Sequence, residues 1–503
     1  MTAVQHSAPA AAGAESASAA RELVARGHRL SLDGRFGEAE ACARDAIRLQ
    51  PELAIAHNNL GFARQVQGDV VEALACYRRA TELGPTLRLA RRNLALLLAR
   101  LGEREESLAL CHAEVGADTD GLRWLQRTVS NAVDERDLKF AGDCAAMLAT
   151  LRWATTWPGA RREGRMPEPL PLHAERRLLS VPKLRHDILQ LEYLQRRGLF
   201  GDELNPVVDG HRAVLARLSA RGEDARSPLD EADLRDIGDT YNRILHLRHT
   251  PRLGRALSDR WDAARVESQY LDRPPGLVVV DDFLSEDALQ EVRQFCLEST
   301  VWFSNRYNHG RLGAFFQSGF NCPLLLQIAE ELRVAMPRVI GDRHALQQVW
   351  GFKNSAPLPA NATTHADFAA VNVNFWITPQ DANENPSTGG LVVYDVDAPL
   401  HWDFATYNGR DDVIGPFLGR QGARGVRIPY RQNRAVIFNS DLFHGTDEVR
   451  FRPEYENMRI NITMLYGVRE QDHRHLARPD PETDPGAGAW RSAAFSRARR
   501  RAC

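Results

Sequence analysis

Thr364-His-Ala-Asp-Phe368 is followed by an apolar stretch over 369–377, a polar turn over 380–388 and the run Gly389-Gly-Leu-Val-Val-Tyr394. Apolar residues alternating with Asn372, Asn374 and Trp376 predict a strand, and the turn predicts a second strand beside it. In an extended chain, residues two apart project to the same side, so His365 and Asp367 can reach one point in space. A further strand, Ala435-Val-Ile-Phe438, leads into Asn439-Ser-Asp-Leu-Phe-His-Gly445 and places His444 just past its end. Arg459 lies fifteen residues beyond His444, in Met458-Arg-Ile-Asn-Ile-Thr-Met464, which sets Arg459, Asn461 and Thr463 on one strand face and Ile460, Ile462 and Met464 on the other. A polar face opposite an apolar one is what a strand lining a cavity requires.

A histidine two residues before an acid is not specific. The composition predicts roughly two such matches by chance, and the chain has four. His112-Ala-Glu114 and His173-Ala-Glu175 fall in stretches with helical periodicity, where residues two apart diverge. His401-Trp-Asp403 is the serious rival. His365 and Asp367 are preferred because strands follow them in the right order.

Two neutral imidazoles and one carboxylate on a common face suit iron(II) and leave three coordination positions open, enough for a chelating 2-oxo acid and dioxygen. The Arg459 guanidinium can take a distant carboxylate through two parallel hydrogen bonds. Residues 275–470 resemble the iron(II)/2-oxoglutarate-dependent oxygenase superfamily, in its prolyl-hydroxylase-like form, with the strand-to-helix entry Leu277-Val-Val-Val280 and Asp281-Asp-Phe-Leu-Ser285 at its start. The resemblance implies a double-stranded β-helix (jelly-roll) with flanking helices and a catalytic metal site of His365, Asp367 and His444. It implies Arg459 as the cosubstrate-binding residue, with Fe(II), 2-oxoglutarate and dioxygen as the reacting set. Asp367 argues for hydroxylation over halogenation, which needs a small residue there; hydroxylation-driven demethylation stays open. Arg459-Ile-Asn-Ile-Thr463 is also similar to a segment of the nucleic-acid demethylases, but Leu465 stands where that branch has a second arginine, which argues against nucleic acid as substrate. Asn372, Asn374 and Trp376 are candidates to line the pocket, and Trp350 and Phe352 are expected to fill the core.

The first part of the chain repeats itself at a period of 34. Gly27, Gly61 and Ala95 superpose, as do Ala39, Ala73 and Ser107, then Ala46, Ala80 and Glu114, with Pro51 and Pro85 in register. Small residues recurring at fixed places let paired helices approach closely, and the third copy decays as a terminal repeat does. Residues 20–118 resemble about three tetratricopeptide repeats, which implies a helical solenoid able to hold a peptide or protein partner. A dimerisation role, giving a homodimer, is the alternative. Asn58, Asn59, Arg92 and Asn93 are the polar candidates on its inner helices.

Residues 119–270 read as a helical extension, with apolar residues at helical spacing in Leu122-Arg-Trp-Leu-Gln126, 179–194 and 230–247. Residues 1–19 are expected to be disordered and 471–503 to form a flexible tail. The fold class expected is thus multidomain α + β. A length of 503 residues with 43% hydrophobic content accommodates several cores. The net charge of −2 gives no general attraction to polyanions, and no apolar run is long enough to span a membrane. Seven cysteines without CxxC spacing fit a reducing cytoplasm better than a disulfide framework. Helical repeats joined to such an oxygenase resemble the collagen prolyl hydroxylases and the aspartyl/asparaginyl hydroxylases, which implies hydroxylation of a peptide or protein side chain. A small-molecule or carrier-bound amino-acid hydroxylase and a non-catalytic repeat scaffold are the alternatives.

Overall fold

The computed structural model describes residues 8–117, 119–160, 177–360 and 364–469. The expectations for 1–7 and for the tail beyond 469 fall outside them. The chain divides into two compact units, one ending at Leu125 and the other beginning at Gln126.

The first unit is a series of helices, Ala8–Leu32, Phe36–Leu49, Ala54–Val66, Val70–Leu83, Arg88–Leu101 and Arg104–Ala117. Its first helix starts upstream of residue 20. The 34-residue periodicity has a direct steric cause: a Cβ on Gly61 would lie 2.8 Å from the Tyr77 ring, which is wholly buried in the same repeat. Asp69 caps the helix that carries Tyr77 by accepting from the Glu72 amide at 3.0 Å. Where the earlier copies have the buried Ala46 and Ala80, the third has Glu114, equally buried. Arg88 and Arg92 each approach it to 2.9 Å through Nε, as does Arg91, so the decayed repeat closes over an ion cluster. Asn93 donates to the Asn58 side chain at 3.0 Å and Asn58 to Asn59 at 3.3 Å, so these amides bond to one another.

The second unit begins with helices Leu138–Trp153, Val181–Arg196, Asn205–Ser219, Glu231–Ile237 and Ala263–Asp272, and a two-stranded ribbon of β1 (Leu178–Ser180) and β2 (Arg226–Pro228). The helix expected over 230–247 stops at Ile237. Gly238 follows, and Tyr241 turns inward so that its hydroxyl donates to the Leu178 carbonyl at 2.7 Å. No helix among the described residues is long and apolar enough to cross a membrane.

Nine strands follow: β3 (Leu277–Val280), β4 (Arg311–Phe315), β5 (Leu346–Asn354), β6 (Val371–Trp376), β7 (Leu391–Asp397), β8 (Gly425–Ile428), β9 (Ala435–Asn439), β10 (Leu442–Thr446) and β11 (Arg459–Tyr466). They form a six-stranded antiparallel sheet, β3-β9-β6-β11-β5-β4, and a three-stranded one, β10-β7-β8. Ser285 caps the helix Glu286–Glu298 after β3, as the sequence predicts. The side-chain period of two sorts β11. Ile460, Ile462 and Met464 face away from the smaller sheet, toward the helices Glu286–Glu298 and Pro323–Ala335. Each such side chain, fully buried, contributes roughly 1.5–3 kcal/mol. The opposite face meets the three-stranded sheet through a core of Trp376, Val436 and Phe438 against Leu391, Val393, Ile428, Tyr430 and Leu442.

Candidate metal centre

His365, Asp367 and His444 come together, each offering one ligand atom, with all of these atoms within 4.8 Å of one another. Backbone pairing sets this up. His365 and His444 exchange both main-chain hydrogen bonds, at 2.9 and 2.8 Å, and the Asp367 amide donates to Ser440 O at 3.2 Å. His444 Nε2 lies 3.4 Å from one Asp367 oxygen and His365 Nε2 lies 3.8 Å from the other. Cis ligands about 2.1 Å from a metal stand about 3 Å apart, so small side-chain rotations close the set on an ion.

The surroundings orient these groups. The ring nitrogen His444 Nδ1 is 3.0 Å from Leu442 O, a contact that holds the ring with Nε2 toward the carboxylate. Asn372 donates to Asp367 at 2.7 Å. The relay continues from Asn374 to Asn372, while Asn461 and Thr463 both donate to the Asn374 side chain, at 2.9 and 2.8 Å. Burial opposes ionisation of Asp367, but the His444 hydrogen bond and the charge of His365 outweigh it and hold the carboxyl below its ordinary range. Asn372, backed by Asn374, therefore orients the candidate ligand Asp367.

The rival motifs have structural work. Asp403 caps a helix by accepting from the Thr406 amide at 2.8 Å, and its neighbour His401 is exposed. Glu114 is held in its arginine cluster. His173 lies outside the described residues.

Arg459 is buried on the same polar face as Asn461 and Thr463. It is not free to use its whole guanidinium. Nε donates to Gly389 O at 2.6 Å and Nη2 to Gly390 O at 3.3 Å, so the Nε/Nη2 edge is occupied by the turn entering β7. The end-on edge, formed by Nη1 and the second N–H of Nη2, remains for a carboxylate. Burial, helped by the nearby positive charge of Arg311, lowers the Arg459 pKa to about 9, which leaves it charged at neutral pH.

Three buried polar atoms on this face have no partner among the described residues: Trp376 Nε1, Asn354 Nδ2 and Asn461 Oδ1. Trp376 lies under Arg459, with the guanidinium carbon 5.7 Å from its ring centre. Buried polar atoms without partners are costly, and two donors and an acceptor beside the open guanidinium edge fit a polar ligand. Phe352, expected as core filling, supports another pocket group that the sequence does not reveal: the Arg311 guanidinium lies 3.8 Å above its ring.

A profile of the family described as Tetratricopeptide repeat matches residues 54–87. No curated protein matches the chain. Among solved structures, the non-heme alpha-ketoglutarate-dependent carbocyclase SnoK from nogalamycin biosynthesis aligns with 14% identity, over 46% of this chain and 96% of its own, at a TM-score of 0.28. A superposition that loose decides nothing beyond what the site geometry shows.

Proposed function

We propose that this chain is an iron(II)- and 2-oxoglutarate-dependent hydroxylase acting on a peptide or protein side chain brought to it through the N-terminal repeats. One observation carries the reading: a buried carboxylate beside two imidazoles is linked, through amides on one face of the sheet, to the strand that carries a buried arginine whose end-on edge is free. His365, Asp367 and His444 would hold the metal, and the donor set suits iron(II). Iron(II) with bound 2-oxoglutarate supplies oxidative decarboxylation to succinate and carbon dioxide, with one oxygen atom of dioxygen entering a C–H bond of the substrate.

The protein's part is placement. Arg459 receives the far carboxylate of the cosubstrate on its end-on edge, and the Trp376 N–H adds a second donor to it. The Asn372 amide holds Asp367 turned toward the imidazoles. The aromatic and aliphatic core between the sheets excludes water from the polar face, so each charged hydrogen bond acts at low dielectric. The peptide reading is supported by the repeat match at 54–87, since such repeats present a concave surface to extended partners. The nucleic-acid reading loses support from Leu465, an apolar, fully buried residue.

The test is to incubate iron-loaded protein with 2-oxoglutarate and a peptide library, following succinate and a substrate mass gain of one oxygen. Peptide-stimulated succinate, abolished by Asp367→Ala, is expected. Equal succinate with and without every peptide, but stimulation by a small metabolite, would move the substrate to the small-molecule class.

A further inference from the structure

Arg311 opens β4, the edge strand of the large sheet. It pairs with Asn354 on β5, and Asn354 pairs on its other side with Arg459 on β11. Directly paired residues of antiparallel strands point to one face, so Arg311, Asn354 and Arg459 form a row across three strands on the face that carries Asn461 and Thr463. At about 4.8 Å per strand, the two arginine backbones stand on the order of 10 Å apart. Asn354 Nδ2, between them, is one of the partnerless buried donors.

The two arginines differ in their surroundings. Arg459 is tied to the backbone of the β7 turn. Arg311 stacks on Phe352, with the Tyr307 ring at 5.6 Å, and neither a hydrogen bond nor an ion pair joins its guanidinium to any described residue. Stacking holds the guanidinium plane and leaves its edge donors open to a ligand. The carboxylate whose charge reaches Arg311 is Asp367. In the loaded site that charge is directed to the metal. A divalent ion, Asp367, a dianionic 2-oxo acid and Arg459 together cancel, and the buried Asp447, whose charge also reaches Arg459, is paired with Arg427 at 3.5 Å, which leaves the positive charge of the half-buried Arg311 uncompensated. Burying an unpaired cation is expensive, and the arrangement is explained if an anion enters with each turnover.

We infer that Arg311 is a specificity-determining residue that binds a carboxylate carried by the substrate, while Arg459 serves the cosubstrate. This rests on the oxygenase reading above. It restricts the substrate to molecules or peptides with a carboxylate near the carbon to be oxidised. Its planar, stacked guanidinium suits a planar carboxylate held through two parallel hydrogen bonds.

The probe is acetate, with acetamide as its uncharged counterpart. The full-length protein is loaded with manganese(II), which does not turn over, and with 2-oxoglutarate. Paramagnetic relaxation of the probe's methyl protons then reports binding near the metal. Acetate is expected to show a saturable enhancement that acetamide lacks. Arg311→Gln should cut the enhancement at least fivefold and Arg311→Lys should retain part of it. In both variants, 2-oxoglutarate binding is followed through its own methylene protons. Absence of a saturable acetate effect in the wild type, or an equal effect in Arg311→Gln, overturns the inference. Release of 2-oxoglutarate by Arg311→Gln also overturns it, by assigning Arg311 to the cosubstrate. If the wild type fails to take up manganese and 2-oxoglutarate before acetate is added, the oxygenase reading itself fails and this inference falls with it.

Discussion

Trp376→Phe separates a ligand-binding donor from a structural one. The indole is fully buried, and its Nε1–H has no partner. An unsatisfied buried N–H costs about 1–3 kcal/mol, so removing it favours the ligand-free fold by that order. The smaller ring leaves a gap whose cost is of similar size, about 1–2 kcal/mol. The two nearly cancel, and the melting temperature without cosubstrate should move little. With 2-oxoglutarate bound, the same N–H completes a hydrogen bond to a carboxylate, a contact of about 1.5–3 kcal/mol. Its loss should weaken binding by roughly 10- to 150-fold, at 1.4 kcal/mol per decade. Calorimetric titration of cobalt-loaded wild type and variant measures this. The comparison ligand is 2-oxopentanoate, which keeps the chelating end and lacks the far carboxylate. Its affinity should be nearly unchanged. Equal weakening for both ligands, or none for 2-oxoglutarate, would refute the reasoning that the orphaned indole N–H belongs to the cosubstrate.

Lys353 is buried on the helix-facing side of the large sheet, where Nζ donates to Cys296 O at 3.2 Å and to the Tyr455 hydroxyl at 2.9 Å. Burial lowers its pKa to about 7. The unfolded chain keeps that proton to about pH 10.4, so between about pH 7 and pH 10 the unfolded state binds more protons and stability rises with pH. Lys353→Met should flatten that rise, by at most about 4 kcal/mol at 1.36 kcal/mol per pKa unit, in urea titrations at several pH values; an unchanged slope would assign the pH dependence elsewhere. Asp403→Ala should cost about 1 kcal/mol as a lost helix cap and leave metal stoichiometry unchanged in dialysis. Loss of metal by that variant would reinstate His401 and Asp403 as ligands.

The triad was legible because each ligand sits beside a strand whose alternation is written in consecutive residues, as in Arg459 to Met464. The 34-residue period was legible for the same local reason, a small residue facing Tyr77. What escaped depends on register between distant segments. Nothing in Arg311-Leu-Gly-Ala-Phe315 marks Arg311 as a cavity residue. Its role appears only when β4, β5 and β11 are paired. The half-occupied guanidinium of Arg459 depends on carbonyls at Gly389 and Gly390, some seventy residues away in sequence. Phe352 is buried in the core as expected, but that its ring face also carries a cation is not written in the sequence. The helix expected over 230–247 ends early because Tyr241 finds a buried hydrogen bond that periodicity does not encode.

The most direct test of the central claim is the visible absorption of anaerobic protein with iron(II) and 2-oxoglutarate, recorded beside Arg459→Leu and Arg459→Lys. Leucine leaves the Gly389 and Gly390 carbonyls without their donor, so lysine serves as the variant that keeps a charge there. The wild type should show a metal-to-ligand charge-transfer band, weaker in Arg459→Lys and weakest in Arg459→Leu at equal cosubstrate. Absence of the band in folded wild-type protein would contradict the assignment of His365, Asp367 and His444 as an iron site that binds a 2-oxo acid.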